Sequence, residues 1–290
     1  LRYPGGKSRA IDLISTLIPD YYEYREPFLG GGSLFIYLKQ KFPDKKYWVN
    51  DLYPSLYKFW KMCQKDIDAV INQAWEWKEK YSDGKELHNY LTQNIASFID
   101  IKKASAFFVF NRITFSGTSE SGGYSEQAFK GRFTPSSIER IKSLEKILDD
   151  ARITNFDYQE VVEAKGKNVF IFLDPPYFSA TKSALYGKNV SLHNSFDHFR
   201  FADVMKKCNH NWLITYDDSP FVRDLFSFAY VNSWDLTYGM RNVTMTSDQK
   251  GKELFLSNFL EVMPSENQLR LFAEPKSSYN AKKKSVNRHK

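Results

Sequence analysis

The residues best suited to chemistry in this chain are Asp174-Pro175-Pro176-Tyr177, which follow the apolar run 169–173. Five large apolar residues and then an acid predict a strand buried on both faces, with Asp174 at its carboxyl end, where open α/β sheets place their active sites. The two prolines fix the backbone and remove two N–H donors, so rigid carbonyls lie beside a carboxylate and an aromatic ring. This combination suits the binding of a planar amine. A strand that ends at a plain Pro-Pro turn, with Tyr177 in the core, is the alternative interpretation.

A glycine-rich loop, Phe28-Leu29-Gly30-Gly31-Gly32, follows one predicted strand and precedes a predicted helix at 33–41. Glycines there permit a tight turn and close approach of the backbone to a ligand. Asp51 comes nineteen residues after Gly32, at the end of the next predicted strand. An acid at about this spacing accepts hydrogen bonds from ribose hydroxyls in nucleoside-binding α/β folds. The pair favours a nucleoside cofactor over a plain turn followed by a helix cap at Asp51.

The tripeptide Gly6-Lys7-Ser8 has the ending of a phosphate-binding loop but not its context. That loop needs a glycine five residues before Gly6 and a strand before it, and Leu1 stands at the glycine position. We expect Tyr3 and Lys7 instead to close over a cofactor from the side, or to form a turn that starts a first helix at 8–18 capped by Ser8.

The order of predicted elements divides the chain into three blocks. Strand and helix patterns alternate up to residue 53 and again from 151, whereas the apolar residues between 54 and about 110 have helical spacing. Residues 116–133 are rich in Gly, Ser and aromatics and predict a hairpin or long loop. We expect 1–53 and 151–262 to form one α/β sheet domain, and 54–150 to form a helical insert with a hairpin near 111–133.

The net charge of +7 is concentrated at the end of the chain. Residues 276–290 contain six Lys or Arg side chains and no acid, so the rest of the chain carries a net charge of only +1. Overall basicity therefore says little about nucleic acid, and a local pattern is needed. We expect 263–290 to be a basic, flexible tail, which either attracts phosphates without reading bases or is an inert solvated segment.

The composition indicates a globular protein of a reducing compartment. Cys63 and Cys208 are too few and too far apart for a disulfide framework or a Cys-rich zinc site, and the five histidines show no paired ligand spacing. We therefore expect no metal. No apolar run approaches the roughly 18 residues needed to span a bilayer, so we expect a cytoplasmic protein without a membrane partner.

Five short motifs occur in a characteristic order. They are Tyr3-Pro4-Gly5-Gly6-Lys7, Glu26-Pro27-Phe28-Leu29-Gly30-Gly31-Gly32-Ser33, Asn50-Asp51, Asn155-Phe156-Asp157-Tyr158 and Asp174-Pro175-Pro176-Tyr177. In this order they resemble the Dam-type, or D12-class, adenine-specific DNA methyltransferases of bacteria, archaea and phages, over residues 1 to about 260. Tyr3 departs from the Trp common in the family, and 111–117 matches the family's Asn-Arg...Phe-Asn-Gly stretch only loosely, so the recognised DNA sequence is not predicted.

The resemblance implies a Rossmann-like fold with S-adenosylmethionine (SAM) as methyl donor and S-adenosylhomocysteine as product. It assigns the ribose hydroxyls to Asp51 and the cofactor's adenine amine to Asp157, and it places the glycine loop under the amino-acid portion. Lys7 would meet the cofactor carboxylate or a phosphate. The other residues expected around the cofactor are Tyr3, Pro27, Phe28, Gly30, Gly31, Gly32, Ser33, Tyr158 and Asp174.

The resemblance also implies the chemistry of the catalytic loop. Asp174 and the carbonyl of Pro175 would each accept one hydrogen of the target amine, which concentrates its lone pair on nitrogen. The loop includes Pro176, and the base flipped out of the duplex would stack on Tyr177. No covalent enzyme intermediate is needed.

The expected partner is double-stranded DNA, with Arg112, Tyr124, Lys130 and Arg132 as the candidate contacts in 111–133. A cognate restriction endonuclease, acting separately, is a further possible partner. An RNA adenine methyltransferase is the alternative enzyme. A catalytically silent DNA-binding protein and a nucleotide-binding regulator are alternatives of another class, which the carboxylate at Asp174 disfavours because pure binding has no need of it.

Overall fold

The computed structural model describes residues 1, 7, 10–115, 122–178, 196–235 and 252–260. Tyr3, the Ser8 cap and the basic tail at 263–290 lie outside the described residues. No helix in these ranges has the length and apolar character needed to cross a membrane.

Seven strands form one mixed sheet in the described part of the chain. They are β1 (Glu23–Glu26), β2 (Lys46–Asn50), β3 (Arg152–Thr154), β4 (Val169–Leu173), β5 (Asn211–Asp217), β6 (Tyr230–Asp235) and β7 (Lys252–Ser257). Their order across the sheet is β3-β2-β1-β4-β5-β7-β6. Strands β1 to β5 are parallel, and β7 is antiparallel to both β5 and β6. The predicted Rossmann-like, mostly parallel sheet is confirmed.

Strand β4 is buried on both faces, as its unbroken apolar sequence predicts. Phe170 and Phe172 point into one hydrophobic cluster, and Val169, Ile171 and Leu173 point into another on the opposite face. The alternation follows from the two-residue period of a strand. It fixes β4 in the middle of the molecule, with Asp174 as the first residue to leave the sheet.

Helices cover both faces of the sheet. They are α1 (Ile11–Leu17), α2 (Ser33–Lys41), α3 (Pro54–Lys65), α4 (Ile67–Lys80), α5 (Gly84–Asn94), α6 (Asp100–Ile113), α7 (Glu126–Arg132), α8 (Pro135–Glu139), α9 (Glu145–Leu148), α10 (Tyr158–Glu163), α11 (His198–Lys207) and α12 (Pro220–Leu225). Two 3₁₀ turns lie at Ile95–Ser97 and Arg140–Leu144.

The helical block α3–α9 shares its core with the sheet. Phe59, Trp60 and Phe107 belong to the same buried cluster as Tyr24 and Phe170. The block is therefore packed on one face of the sheet, and its treatment as a separate domain at 54–150 stays a prediction.

The 111–133 segment is more helical than its sequence suggests. Helix α6 continues to Ile113, and α7 begins at Glu126 because Ser125 accepts a hydrogen bond from the Ala128 amide and Phe129 is buried. Of the predicted hairpin, the described residues contain one antiparallel bridge, between Thr114 and Tyr124. Glycine and serine content predicted a loop, whereas the cap and the buried face favoured a helix.

The loops that follow β1, β2 and β3 are tied together by Asn50, the last residue of β2. Its side-chain amide donates to the carbonyl oxygens of Pro27 (3.1 Å) and Phe156 (3.0 Å), and its oxygen accepts from Thr154 Oγ1 (2.8 Å) and the Phe156 amide (2.8 Å). Asn50 has no exposed surface. One side chain therefore sets the relative positions of three loops at the carboxyl edge of the sheet.

We predict that Asn50→Ala lowers the free energy of unfolding by at least about 2 kcal/mol, because buried backbone groups of two loops lose their partners. Urea unfolding followed by circular dichroism measures this. Asn94→Ala is the matched control, since its amide makes one bond within its own helix, to the Tyr90 carbonyl. Equal losses in the two variants would contradict the assignment of Asn50 as the tie.

Candidate active site

Asp174 lies at the carboxyl end of β4, next to the point between β1 and β4 where the order of strands changes direction. Chain order runs outward from β1 to β2 and β3, then returns to β4 next to β1. Such a switch point leaves a crevice between two diverging loops. The glycine loop after β1 and the Asp-Pro-Pro-Tyr loop after β4 form its two sides.

The Asp174 carboxylate is held from the neighbouring strand β5. Thr215 Oγ1 donates to Asp174 Oδ1 at 2.7 Å, and Thr215 is fully buried. The Asp174 side chain is 22% exposed to solvent, so a ligand can reach it. Sequence analysis missed Thr215, because its role depends on the register of β4 against β5.

Lys7 reaches the same carboxylate from the amino-terminal segment. Its Nζ lies 3.0 Å from Asp174 Oδ1 and donates to the Tyr177 hydroxyl at 2.7 Å. Lys7 is 5% exposed. The side chain expected to meet a cofactor carboxylate or a phosphate is therefore paired, in this structure, with the acid and the tyrosine of the catalytic loop.

Glu253 on β7 is a second acid next to Lys7. Glu253 Oε1 lies 3.7 Å from Lys7 Nζ, and the residue is 2% exposed. Burial raises the pKa of Glu253 to about 7; Lys7 opposes the rise, and Asp174 adds to it. Sequence analysis missed Glu253, because it belongs to none of the five motifs.

Tyr177 is supported by a second aromatic ring. It stacks on Tyr216 of β5, with ring centroids 5.8 Å apart and an interplanar angle of 21°. The Tyr216 hydroxyl hydrogen-bonds His198 Nδ1, and burial lowers the pKa of His198 while Asp217 and Asp197 oppose the shift. Offset stacking holds the Tyr177 ring in a fixed plane.

The glycine loop has the left-handed backbone that its composition allows. Gly30 and Gly32 have φ angles of +49° and +65°. Gly32 precedes α2, and a Cβ there would lie 3.0 Å from Cζ2 of Trp60. Trp60 Nε1 also donates to the Gly30 carbonyl at 3.2 Å. Both the backbone conformation and the contact with Trp60 therefore require glycine in this loop.

Asp51 lies across the loop from Gly30. Its Oδ2 accepts from the Gly30 amide and its Oδ1 from the Tyr53 amide, each at 2.9 Å. Burial raises the pKa of Asp51 to about 6, and these two hydrogen bonds oppose the rise. Because a carboxylate oxygen has two lone pairs, each oxygen can still accept a hydroxyl. Asp51 thus caps the local backbone and remains available to a ligand.

Glu26, the last residue of β1, is buried near Asp51 and Asp174. Its carboxyl group accepts from the Tyr24 hydroxyl at 2.7 Å. Burial raises its pKa to about 8, the hydrogen bonds oppose this, and the charges of Asp174 and Asp51 add to it. Glu26 is therefore mainly neutral at pH 7, which limits the negative charge in the crevice.

Phe28 of the glycine loop belongs to a cluster of aromatic side chains. Phe28 stacks on Tyr158 with centroids 5.6 Å apart, and Phe196 and Phe201 contact both rings. Asp157 caps α10 through the Gln159 amide (2.9 Å). Three other residues expected around the cofactor lie in or next to the glycine loop. The Pro27 carbonyl accepts from Asn50, Gly31 lies in the loop, and Ser33 starts α2.

Asp157 has a strong partner that the sequence did not indicate. Arg200 of α11 donates to Asp157 Oδ1 at 2.7 Å and to Oδ2 at 3.1 Å. Both groups are partly exposed, so the pair orients Asp157 more than it stabilises the fold. A cofactor amine would share the carboxylate with this guanidinium.

The four predicted DNA contacts lie near the ends of α6 and α7. Arg112 is half-buried, with its guanidinium 5.2 Å from the centre of the Phe108 ring, and Arg132 is half-buried in the last turn of α7. Lys130 is exposed and pairs with Glu126 at 2.8 Å, and the Tyr124 hydroxyl also bonds to Glu126. Tyr124 and Lys130 therefore both contact the Glu126 carboxylate.

A family comparison shows which class of proteins the chain belongs to. The sequence model of the D12 class N6 adenine-specific DNA methyltransferases matches residues 3–240. The chain belongs to this class. The predicted resemblance is confirmed, and the chain is a DNA adenine methyltransferase.

Relatives of the D12 chain come from archaea and bacteria. The type II methyltransferase M.MjaIII of Methanocaldococcus jannaschii is 23% identical over 71% of this chain and 78% of its own length. The DNA adenine methylase of Vibrio cholerae is 25% identical over 80% and 86%. The type II methyltransferase M1.LlaDCHI of Lactococcus lactis is 23% identical over 89% and 94%.

Metal-ligating side chains do not cluster among the residues that the structure describes. Within these ranges no group of three or more His, Cys, Asp or Glu side chains is arranged to hold a metal ion. The crevice acids are bonded instead to backbone amides, hydroxyls and Lys7.

We predict that Thr215→Val lowers the methyl-transfer rate about tenfold, because Asp174 loses a buried hydrogen bond to a charged group, worth about 1.5–3 kcal/mol. Single-turnover transfer of labelled methyl groups to DNA measures it. Thr215→Ser keeps the hydroxyl and should restore most of the rate, and Thr92→Val, on an exposed helix face, controls for the residue type. A serine variant as slow as the valine variant would contradict the role.

Proposed function

We propose that this chain transfers a methyl group from SAM to the exocyclic N6 amine of an adenine flipped out of duplex DNA. Membership in the D12 class establishes DNA adenine methylation, and SAM as donor is the step that we add. The observation that carries it is the pairing of a partly exposed, hydrogen-bonded carboxylate at Asp174 with a left-handed glycine loop on the other side of one crevice.

The donor set of the crevice fits SAM. The cofactor carries a sulfonium and an ammonium, and Asp51 and Asp174 are acids on the two sides of the crevice. Asp51 retains lone pairs for ribose hydroxyls, and the Phe28–Tyr158 stack offers an apolar wall for an adenine ring. Asp157 and the glycine loop complete the group of residues that would hold the cofactor. When bound, SAM supplies an electrophilic methyl group on a positively charged sulfur.

The residues of the catalytic loop act on the target amine. The lone pair of an adenine amine is delocalised into the ring, which makes it a weak nucleophile. Asp174 accepts one amine hydrogen and the Pro175 carbonyl accepts the other, so the lone pair concentrates on nitrogen. Pro175 and Pro176 lack N–H groups, so no backbone donor at either position competes for these acceptors.

Tyr177 provides the surface on which the flipped base rests. Its ring is braced by Tyr216 and lies 4.8 Å from Lys7 Nζ, and the flipped base would stack on the face opposite Tyr216. Stacking of a base on an aromatic side chain is worth about 1–3 kcal/mol, enough to offset part of the cost of unstacking it from the duplex.

We predict that Asp174→Ala lowers turnover by at least about a hundredfold with the fold retained, because the polarising carboxylate acts in the transition state. Asp51→Ala should chiefly raise the SAM concentration needed for half-maximal rate. Methyl transfer to DNA, and in parallel to RNA of the same sequence, is measured at saturating and limiting SAM. Near-normal turnover of Asp174→Ala at saturating SAM would exclude this mechanism.

We propose that sequence recognition resides in the segment 111–133. Its exposed Lys130 is suited to a phosphate, and Tyr124 lies beside the Thr114 bridge, at the mouth of the segment. Arg112 and Arg132 are packed against α6 and α7, so their contribution would come from the outer edge of each guanidinium.

We predict that exchanging 114–125 for the matching segment of a relative with another target changes which adenines are methylated, because base edges are read by side chains that enter a groove. Thr114 and Ser125 are kept unchanged within the exchanged segment, because both are buried and Ser125 caps α7. Sequencing of methylated bases in DNA exposed to each variant reports the sites, and an equivalent exchange of 95–99 is the control. An unchanged site list would remove 114–125 from recognition. A cognate restriction endonuclease stays a prediction.

A further inference from the structure

Glu253 is a buried acid that the mechanism above does not use. Its two carboxylate oxygens are inaccessible to solvent and lie beside the Tyr177 hydroxyl and the Lys7 ammonium. A buried carboxylate without partners is costly, so its environment must compensate the charge or keep it protonated. Strand pairing places Glu253 opposite Asp217, two residues along β5 from Thr215, which holds Asp174.

The compensating charge in the described structure is Lys7. Its Nζ lies 3.0 Å from Asp174 Oδ1, 2.7 Å from the Tyr177 hydroxyl and 3.7 Å from Glu253 Oε1. The first two distances are hydrogen bonds and the third is longer than one. The ammonium therefore lies between two acids and is bonded to the one that the reaction needs.

Substrate binding must change this arrangement, provided that the proposed function holds. An ammonium bonded to Asp174 occupies lone pairs and withdraws electron density from the acceptor of the target amine. Removing it into solvent would strand Glu253 without a cation. A shift of Lys7 toward Glu253 by about 1 Å would bring the new pair to the normal charge-assisted distance of about 2.8 Å.

We propose that Glu253 is a positioning residue for methyl transfer, which receives the Lys7 ammonium from Asp174 when the target amine binds. The groups that face Glu253 are Lys7 from the amino-terminal segment, Asp174 and Tyr177 from the loop after β4, and Asp217, its cross-strand neighbour on β5. Because burial raises the pKa of Glu253 to about 7, the acid is ionised above neutrality and can take the ammonium, whereas below it Lys7 stays on Asp174.

The test is single-turnover methyl transfer at saturating SAM and DNA with Glu253→Gln. The rate should fall about tenfold, with the affinities for SAM and DNA changed less than about twofold, because the loss is confined to the reacting complex. The wild-type rate should decline as the pH falls through 7, and the glutamine variant should lack this limb. Ser257→Ala, a buried change on the same strand that affects only a bond to the Phe259 carbonyl, should leave the rate unchanged.

A double-mutant cycle distinguishes positioning from simple support of the fold. In a Lys7→Ala background, Glu253→Gln should cause no further loss of rate and should raise the melting temperature, since it removes an uncompensated buried charge. Glu253→Asp keeps the charge and should retain most of the rate, which keeps the test valid if the glutamine variant folds poorly.

A wild-type rate and pH profile in Glu253→Gln, or additive losses in the cycle, would overturn the inference. An inactive wild-type protein would count against the proposed function instead.

Discussion

The burial of several carboxyl groups at one edge of the sheet is the constraint on which this site depends. Three of them lie at the carboxyl ends of parallel strands: Glu26 ends β1, Asp51 follows β2 and Asp174 follows β4. The fourth, Glu253, lies on the antiparallel strand β7, opposite Asp217 of β5. Their negative charge is compensated in four ways: a raised pKa at Glu26, two backbone amides at Asp51, hydrogen bonding from Thr215 with the Lys7 ammonium at Asp174, and the more distant Lys7 ammonium at Glu253. Chemically alike side chains therefore occupy different electrostatic environments at one edge of the sheet.

The helical block supports the glycine loop as well as the core of the sheet. Trp60 of α3 packs under Gly32 and donates to the Gly30 carbonyl, so the first helix after β2 holds the loop that follows β1. Phe59 and Trp60 also join the core shared with the sheet. Movements of α3 on binding DNA would therefore reach the cofactor loop directly, because the two are in van der Waals contact and share a hydrogen bond.

Much of the fold was predictable from the sequence, because strong local patterns decided it. The apolar run of β4 and the glycines after β1 specify their own conformations, and the acids that follow the strands mark the active edge. Thr215 and Glu253 were not predictable, since their roles depend on which residues of β5 and β7 face Asp174, and strand register is a property of the assembled sheet. The helix at α7 was missed because its buried face outweighs a loop-like composition.

The two sides of the crevice differ in how firmly they are held. The catalytic side rests on the sheet: Asp174 follows β4, Thr215 and Tyr216 belong to β5, and His198 fixes the hydroxyl of Tyr216. Lys7 comes from a short segment before α1 and places its ammonium against Asp174, Tyr177 and Glu253. A rigid acceptor paired with a cation on a long, rotatable side chain is suited to exchange: the carboxylate stays in place while its counter-ion changes partner. The geometry needed for methyl transfer can thus be kept in the sheet while the charge on it is adjusted from outside.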